Sequence, residues 1–344
     1  MGDTVKQAPA GFDRQSKTEI CITIDTEFSI GGAFANPSRY RPISNETVSC
    51  VVDGQEEGLG FLLRRFRDFG VHATFFVETL QTAYFGESRM GAIVERIAKE
   101  GHDIQPHLHP CWLHFRDRGW RTLEQPNDSC AGRDQCELEA LLHYSFDVFA
   151  RWGIPRPVAL RTGGFHCDRT VYRAMRQCGL PLASNVALGI YRPSDPALHC
   201  VSGRHLIEGV MEIPVIGYST TLPLMKARIR NTAITATSWA EMETLLWEAR
   251  EQGISPFVVL THPFEFVKCD DFRYSVMRRN TINQRRLQRL LEFISRNSDS
   301  FVAATFASQG ERWLAGGPSP NRLLFSPRGL SLMRAAQNFI NDRI

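Results

Sequence analysis

The 344-residue sequence predicts an α/β fold, a parallel (β/α) barrel, closed or nearly so, of about seven strands in a single catalytic domain. Three observations carry this expectation. Short apolar runs alternate with stretches of helical periodicity from Thr18 through Gly310. Runs such as "VHATFFV" are β-branched and aromatic with little polar interruption, as strands buried on both faces are. Titratable residues gather at the C-terminal ends of several runs, the place where such barrels carry their chemistry.

The elements follow in order. Residues 1–17 are polar, aperiodic and contain Gly and Pro, which predicts a flexible leader. In "TEICITIDTEF", Ile20, Ile22 and Ile24 alternate with Cys21, Thr23 and Asp25, the period of a strand. "EEGLGFLLRRFRDFG" repeats Leu59, Leu62, Leu63 and Phe66 at helical spacing until Gly70 ends the pattern. Strand "VHATFFV" and helix "MGAIVERIAKEG" lead to "GHDIQPHLHPCW". Then come helix "CELEALLHYSFDVFARWG", strand and turn "PVALRTGG", helix "DRTVYRAMRQCG", and strands "LPLASNV" and "LIEGVMEIPVIG". Helix "SWAEMETLLWEAREQG", strand and loop "PFVVLTHPFEF", helix "NQRRLQRLLEFISRN" and strand "FVAATFASQG" complete a barrel spanning 18–314. The tail 315–344 ends in "SLMRAAQNFINDRI", an amphipathic helix that could cap the barrel or join a second subunit. Nothing in the sequence sets the oligomeric state.

Composition narrows the function classes. Forty basic against 37 acidic residues leave a net charge of +3, short of the excess expected of a nucleic-acid binder. Nine cysteines without a paired array, and no secretory pattern at the start, predict reduced thiols in the cytoplasm. The apolar runs are too short to span a membrane.

Asp25 and Glu27 in "IDTEF", His107 and His109 in "QPHLHP", and His262 in "LTHPFEF" stand at three strand ends. Titratable groups there are costly unless they bind a metal or one another. On an extended "DIQPHLHP", His107 and His109 point to one side, because side chains alternate along a strand. Asp25 and Glu27 share the same parity relation, so one can bind metal while the other faces water. Two imidazoles and one carboxylate with open coordination positions describe a catalytic metal site. Cys111 is the alternative ligand if the strand continues past Pro110; otherwise it is a small buried residue. His72, His102, His114, His143, His199 and His205 read as ordinary structural histidines.

Taken in order, "ITIDTE", "VHATFFV", "GHDIQPHLH", "LRTGG", "MEIPV" and "LTHP" resemble the strand-end motifs of the polysaccharide deacetylase family, carbohydrate esterase family four, with its NodB-homology fold. The resemblance implies a distorted (β/α) barrel, one divalent metal, with zinc expected, and removal of N-acetyl groups from an amino-sugar glycan or glycan precursor. It implies Asp25 as catalytic base, Glu27 in place of the metal-binding aspartate, His107 as first histidine ligand, Arg161 as the arginine holding the base, and His262 as general acid. Two departures stand out: the usual adjacent aspartates are here Asp-Thr-Glu, and Cys111 occupies the place of the second histidine ligand. His109, Cys111 or a weak or absent metal are the ways to resolve this, and strand parity favours His109.

Trp112, Phe165, Phe264 and Phe28 are candidates for a sugar-stacking wall, and Asp168 and Glu265 for contacts to sugar hydroxyls; core packing is the competing role of the aromatics. The expected partner is a carbohydrate or glycoconjugate. Three other functions remain. One is an amide, imide or formamido-sugar hydrolase of the same fold, with or without metal. Another is a non-haem iron oxygenase, whose usual jelly roll this chain's alternation opposes. The third is a silent sugar-binding protein, which needs no acid and base.

Overall fold

The computed structural model describes residues 16–221 and 226–341. The expected leader 1–17 therefore lies outside the described residues except for Ser16 and Lys17. The main sheet contains β1 (Thr18–Thr26), β2 (Thr74–Glu78), β3 (Asp103–Leu108), β4 (Ala159–Thr162), β5 (Leu182–Ala183), β6 (His205–Ile207), β7 (Val210–Glu212), β8 (Phe257–Thr261) and β9 (Phe301–Ala303). Its order is β8-β1-β2-β3-β4-β5-β7-β6, with β9 also paired to β1. All pairings are parallel except β6 with β7.

The main helices are α1 (Leu59–Phe69), α2 (Glu87–Lys99), α3 (Gln135–Arg151), α4 (Arg169–Gln177), α5 (Trp239–Glu251), α6 (Thr281–Arg296), α7 (Phe306–Ala315) and α8 (Arg328–Asn341). Local signals set their ends. Gly70 takes a left-handed conformation at φ 62° and stops α1. Ser238 and Glu241 form a capping box that starts α5.

The sheet holds more strands than the expected seven for identifiable reasons. "LIEGVMEIPVIG" is a hairpin: Glu208 and Gly209 both adopt positive φ and reverse the chain between β6 and β7. "FVAATFASQG" is a strand only to Ala303, after which Thr305 caps α7. Between β7 and β8 the wall is irregular. Ile213 donates to Ala183, Val215 to Val186, and Ile216 to Val258, while Leu260 donates to Thr232. The barrel is distorted because these single bonds replace a regular ladder on that side.

Every residue of β1 is buried, as the middle strand of such a sheet requires. Its register places chemistry at one level. Ile24 pairs with Thr261, so Asp25 comes beside His262, while Glu78 faces His107 and His107 faces Arg161 across the next two ladders. The tail joins the body: Leu324–Phe325 pairs with Gly217–Thr220, and Arg334 of α8 meets Glu241 of α5 at 3.0 Å.

Candidate active site and metal centre

Asp25 leaves the end of β1 at 2% exposure and receives a 2.6 Å hydrogen bond from Arg161 Nη1. The fully buried guanidinium is held from behind as well: Nη1 donates to Thr23 Oγ1, Nε to the Ser184 carbonyl and Nη2 to Ser184 Oγ. Its plane also lies 4.2 Å from the Phe76 ring centroid. Such a surround fixes the carboxylate's direction.

Glu27, His107 and His109 bring one potential ligand atom each to within 4.8 Å of one another. Glu27 Oε2 stands 2.9 Å from His109 Nε2 and 3.6 Å from His107 Nε2. The outer ring nitrogens are occupied. His107 Nδ1 is 3.0 Å from the Arg161 carbonyl oxygen, which can only accept, so Nδ1 carries hydrogen and Nε2 is free to ligate. His109 Nδ1 is 2.6 Å from Asp128 Oδ2, the same arrangement with a carboxylate. This donor set, with each imidazole oriented from outside, fits a divalent cation of the zinc type.

Electrostatics reinforce the convergence. Burial alone would raise the Glu27 carboxyl, but the imidazoles of His109, His107 and His262 outweigh it and hold it down to about 2. Burial lowers His107, with the neighbouring His109 and Arg161 adding to the effect. For His109, burial is overcome by Glu27 and Asp128, which raise it well above the usual histidine range. A proton on His109 offsets one of the two carboxylate charges, Glu27 and Asp128, between which the ring lies.

His262 stands across from Asp25, Nε2 to Oδ2 3.9 Å. Glu265 grips the other ring nitrogen at 2.9 Å and also accepts from Thr261 Oγ1. Burial disfavours a proton on His262, yet Glu265, Asp25 and Glu27 push it up to about 9. A cleft of about 260 Å³ opens on the Glu27–His109–Asp128 side of the cluster, lined also by Trp112, Phe264 and Tyr274. The larger cavity of about 740 Å³, beside His72, His102 and Asp103 at the start of β3, contains none of the converging donors.

A Mycobacterium smegmatis protein assigned to the polysaccharide deacetylases superposes with a TM-score of 0.54 at 16% identity, over 93% of this chain and 98% of that one. The chain has the polysaccharide deacetylase fold. A family 4 carbohydrate esterase from Streptomyces lividans is also similar, at 12% identity and a TM-score of 0.42 over 85% of this chain and 94% of its own. So is the peptidoglycan deacetylase PdaC of Bacillus subtilis, at 12% identity and a TM-score of 0.40 over 89% and 95%. No protein-family model and no curated protein matches the sequence.

Within this deacetylase-type barrel, all of Asp25, Glu27, His107, His109, Arg161 and His262 come together. Cys111 does not join His107. Pro110 ends the strand and starts a 3₁₀ turn, so the parity that would aim Cys111 at the cation fails. Its sulfur groups instead with His109 and Asp128, and burial together with Asp128 pushes its thiol far above the ordinary range.

Of the residues expected at the substrate, Trp112, Phe264 and Phe28 line the cleft, while Asp168, Glu265 and Phe165 are engaged elsewhere. Asp168 is the N-cap of α4, accepting from Thr170 and Val171, and its second oxygen accepts from Gly132. Glu265 is spent on His262 and Thr261. Trp112 is 1% exposed and packs on Phe85 and Phe115, so it is a wall of the cleft and not an open platform. Phe165 and Phe28 are buried too, the former beside Arg161 and the latter against Phe85. Phe264 keeps exposure and stacks on His262 at 4.9 Å between ring centroids. His102, read as structural, accepts the Ala73 N–H, and burial and His72 lower it to about 4.

Three contributors escaped the sequence reading. Asp128 lies in an aperiodic loop and gave no signal. Glu78 accepts the His109 N–H at 3.0 Å, and burial pushes its carboxyl up to about 8. Gly163 leaves room for His109, since a Cβ there would meet Nδ1 at 2.4 Å. The "HPFE" spacing, in which residue i+3 can reach back to residue i, was the available clue to Glu265 as the partner of His262.

Proposed function

We propose that this protein is a metal-dependent amide hydrolase that removes N-acetyl groups from an amino-sugar glycan or glycan precursor. Glu27, His107 and His109 hold one divalent cation, zinc by donor type. Such an ion, when bound, polarises the amide carbonyl and acidifies a coordinated water. The carrying observation is the convergence of those three ligand atoms, with Asp25 on Arg161 at one side and His262 on Glu265 at the other. The deacetylase descriptions of the structural neighbours support the same reading.

The residues then divide the work. Asp25, aimed by Arg161, accepts a proton as the water oxygen bonds to the carbonyl carbon. His262, which Glu265 keeps protonated, donates to the nitrogen so that the C–N bond breaks and the amine departs neutral. Acetate is the other product. Phe264, stacked on His262, is the best-placed aromatic for the sugar. A cytoplasmic setting, with nine free cysteines, is part of the proposal.

The test is release of acetate from N-acetylglucosamine oligomers by protein stripped with chelator and reloaded with zinc. Activity should require the metal and vanish in Asp25→Asn. Turnover of formylated sugars or cyclic ureides with acetylated ones ignored would establish the amide or formamido alternative. Failure to retain any divalent metal would defeat the ligand assignment.

A further inference from the structure

Helix α8 is amphipathic in the wrong sense for a helix lying on a protein body. Its inward side is polar: Ser331 bonds Thr220, Arg334 pairs with Glu241 and reaches Thr220, and Arg286 of α6 reaches Asn338. Ser331 and Arg334 are buried. The outward side is apolar. Leu332, Met333 and Ile340 are 47%, 43% and 51% exposed, and Ala336 lies exposed between them at helical spacing. Phe325, on the short strand before the helix, is 58% exposed. Burying polar groups and presenting apolar ones to water is unfavourable unless something else covers the apolar stripe.

The charge around the stripe selects the occupant. Segments 213–240 and 318–341, which flank the stripe, hold no acidic residue and six basic ones, and of the carboxylates that α5 brings to this corner Glu241 is taken by Arg334 while Glu248 accepts the Phe325 N–H. Arg334 is neutralised by Glu241, whereas Lys226, Arg228 and Arg328 are exposed. Arg228 pairs in register with Thr220, the residue that touches Ser331 and Arg334, so Arg228 borders the helix; Lys226 lies two residues before it in sequence, and Arg328 is the first residue of α8. A symmetric second copy would bring like charges together. An apolar stripe rimmed by lysine and arginine fits an anionic lipid surface.

We propose that α8 docks the protein peripherally on anionic membranes, its apolar side in the headgroup region and Lys226, Arg228 and Arg328 on lipid phosphates. No described helix is long and apolar enough to cross a membrane, which distinguishes surface attachment from insertion. The helix's last residue also meets the hairpin Val267–Cys269/Met277–Arg279 through Lys268, and the turn of that hairpin contributes Tyr274 to the catalytic cleft. Docking stands independently of the hydrolase reading. A lipid-borne substrate for the cleft would rest on both.

The test is co-sedimentation of the full chain with vesicles of phosphatidylcholine containing one-third phosphatidylglycerol, beside pure phosphatidylcholine. Wild type should bind the anionic vesicles, release as salt rises, and ignore the neutral ones. Leu332→Ser/Ile340→Ser should reduce the partition coefficient about tenfold or more, with thermal unfolding unchanged. Lys226→Glu/Arg228→Glu, both at the surface, should do the same if the first variant fails to fold. No wild-type binding to anionic vesicles, or equal binding by both variants, overturns the proposal. A concentration-dependent dimer in sedimentation velocity that Leu332→Ser/Ile340→Ser dissolves assigns the stripe to a second copy instead.

Discussion

Replacing Arg161 with methionine keeps most of the side-chain volume and removes the charge beneath Asp25. The guanidinium is fully buried, and it makes four hydrogen bonds, one of them the 2.6 Å bond to Asp25. Without it, the nearest ring nitrogens to that carboxylate are those of His262 at 3.9 Å and His107 at 4.0 Å, beyond hydrogen-bond reach. Breaking a buried ion pair by deleting one member costs about 3–5 kcal/mol, because the other charge is stranded. The Asp25→Asn/Arg161→Met double variant loses the same three bonds to Thr23 and Ser184 but strands no charge, so it should be more stable than the single variant by about 1–3 kcal/mol. Urea unfolding at neutral pH, followed by far-UV circular dichroism, reads both as midpoint shifts at constant slope. A loss below about 1 kcal/mol for Arg161→Met, or a double variant no more stable than the single one, would refute the claim that Arg161 exists to hold a buried charge.

Glu265→Gln should draw the alkaline limb of kcat/KM down from about 9 towards the ordinary histidine value of about 6.5. The sign follows from His262: its folded value is raised, so the proton and the stability it brings are present below about 6.5 and lost as pH rises through about 9. A pH–rate profile that does not move would remove His262 from the role of acid. Elemental analysis should find no metal in His109→Ala, about 10–100-fold weaker metal binding in Asp128→Asn, and wild-type content in Cys111→Ala. Metal lost from Cys111→Ala alone would transfer the ligand role to the thiol. Gly163→Ala, whose Cβ would crowd His109 at 2.4 Å, should weaken metal binding and cost about 1–3 kcal/mol. Full metal content there would show that His109 is free to move.

Much of this site was legible because strands have a period of two. The alternation in "ITIDTE" and "QPHLHP" is enough to aim Asp25 and Glu27, and His107 and His109, each pair to one side of its strand. The order of the motifs carried the resemblance that the superposition supports at the level of fold. What periodicity could not express was loop placement. Asp128 reaches His109 from an irregular stretch, and the turn begun by Pro110 rotates Cys111 off the line that extended parity would predict. Burial was equally hidden: Trp112, a candidate for a sugar-stacking wall with core packing as the competing role, lines the cleft at 1% exposure, packed on Phe85 and Phe115.

From the sequence alone came the alternation of strands and helices, the side to which each strand-end carboxylate and imidazole points, and the choice of groups able to hold a cation and move protons. Those properties are local, set by backbone geometry and side-chain chemistry over a few residues. Only the tertiary structure decided which groups meet, which of them are stripped of water, and which way α8 faces. Ladder register, loop course and burial arise from contacts between segments far apart in the chain, and a polar helix side finds its partners only once α5 and α6 stand beside it.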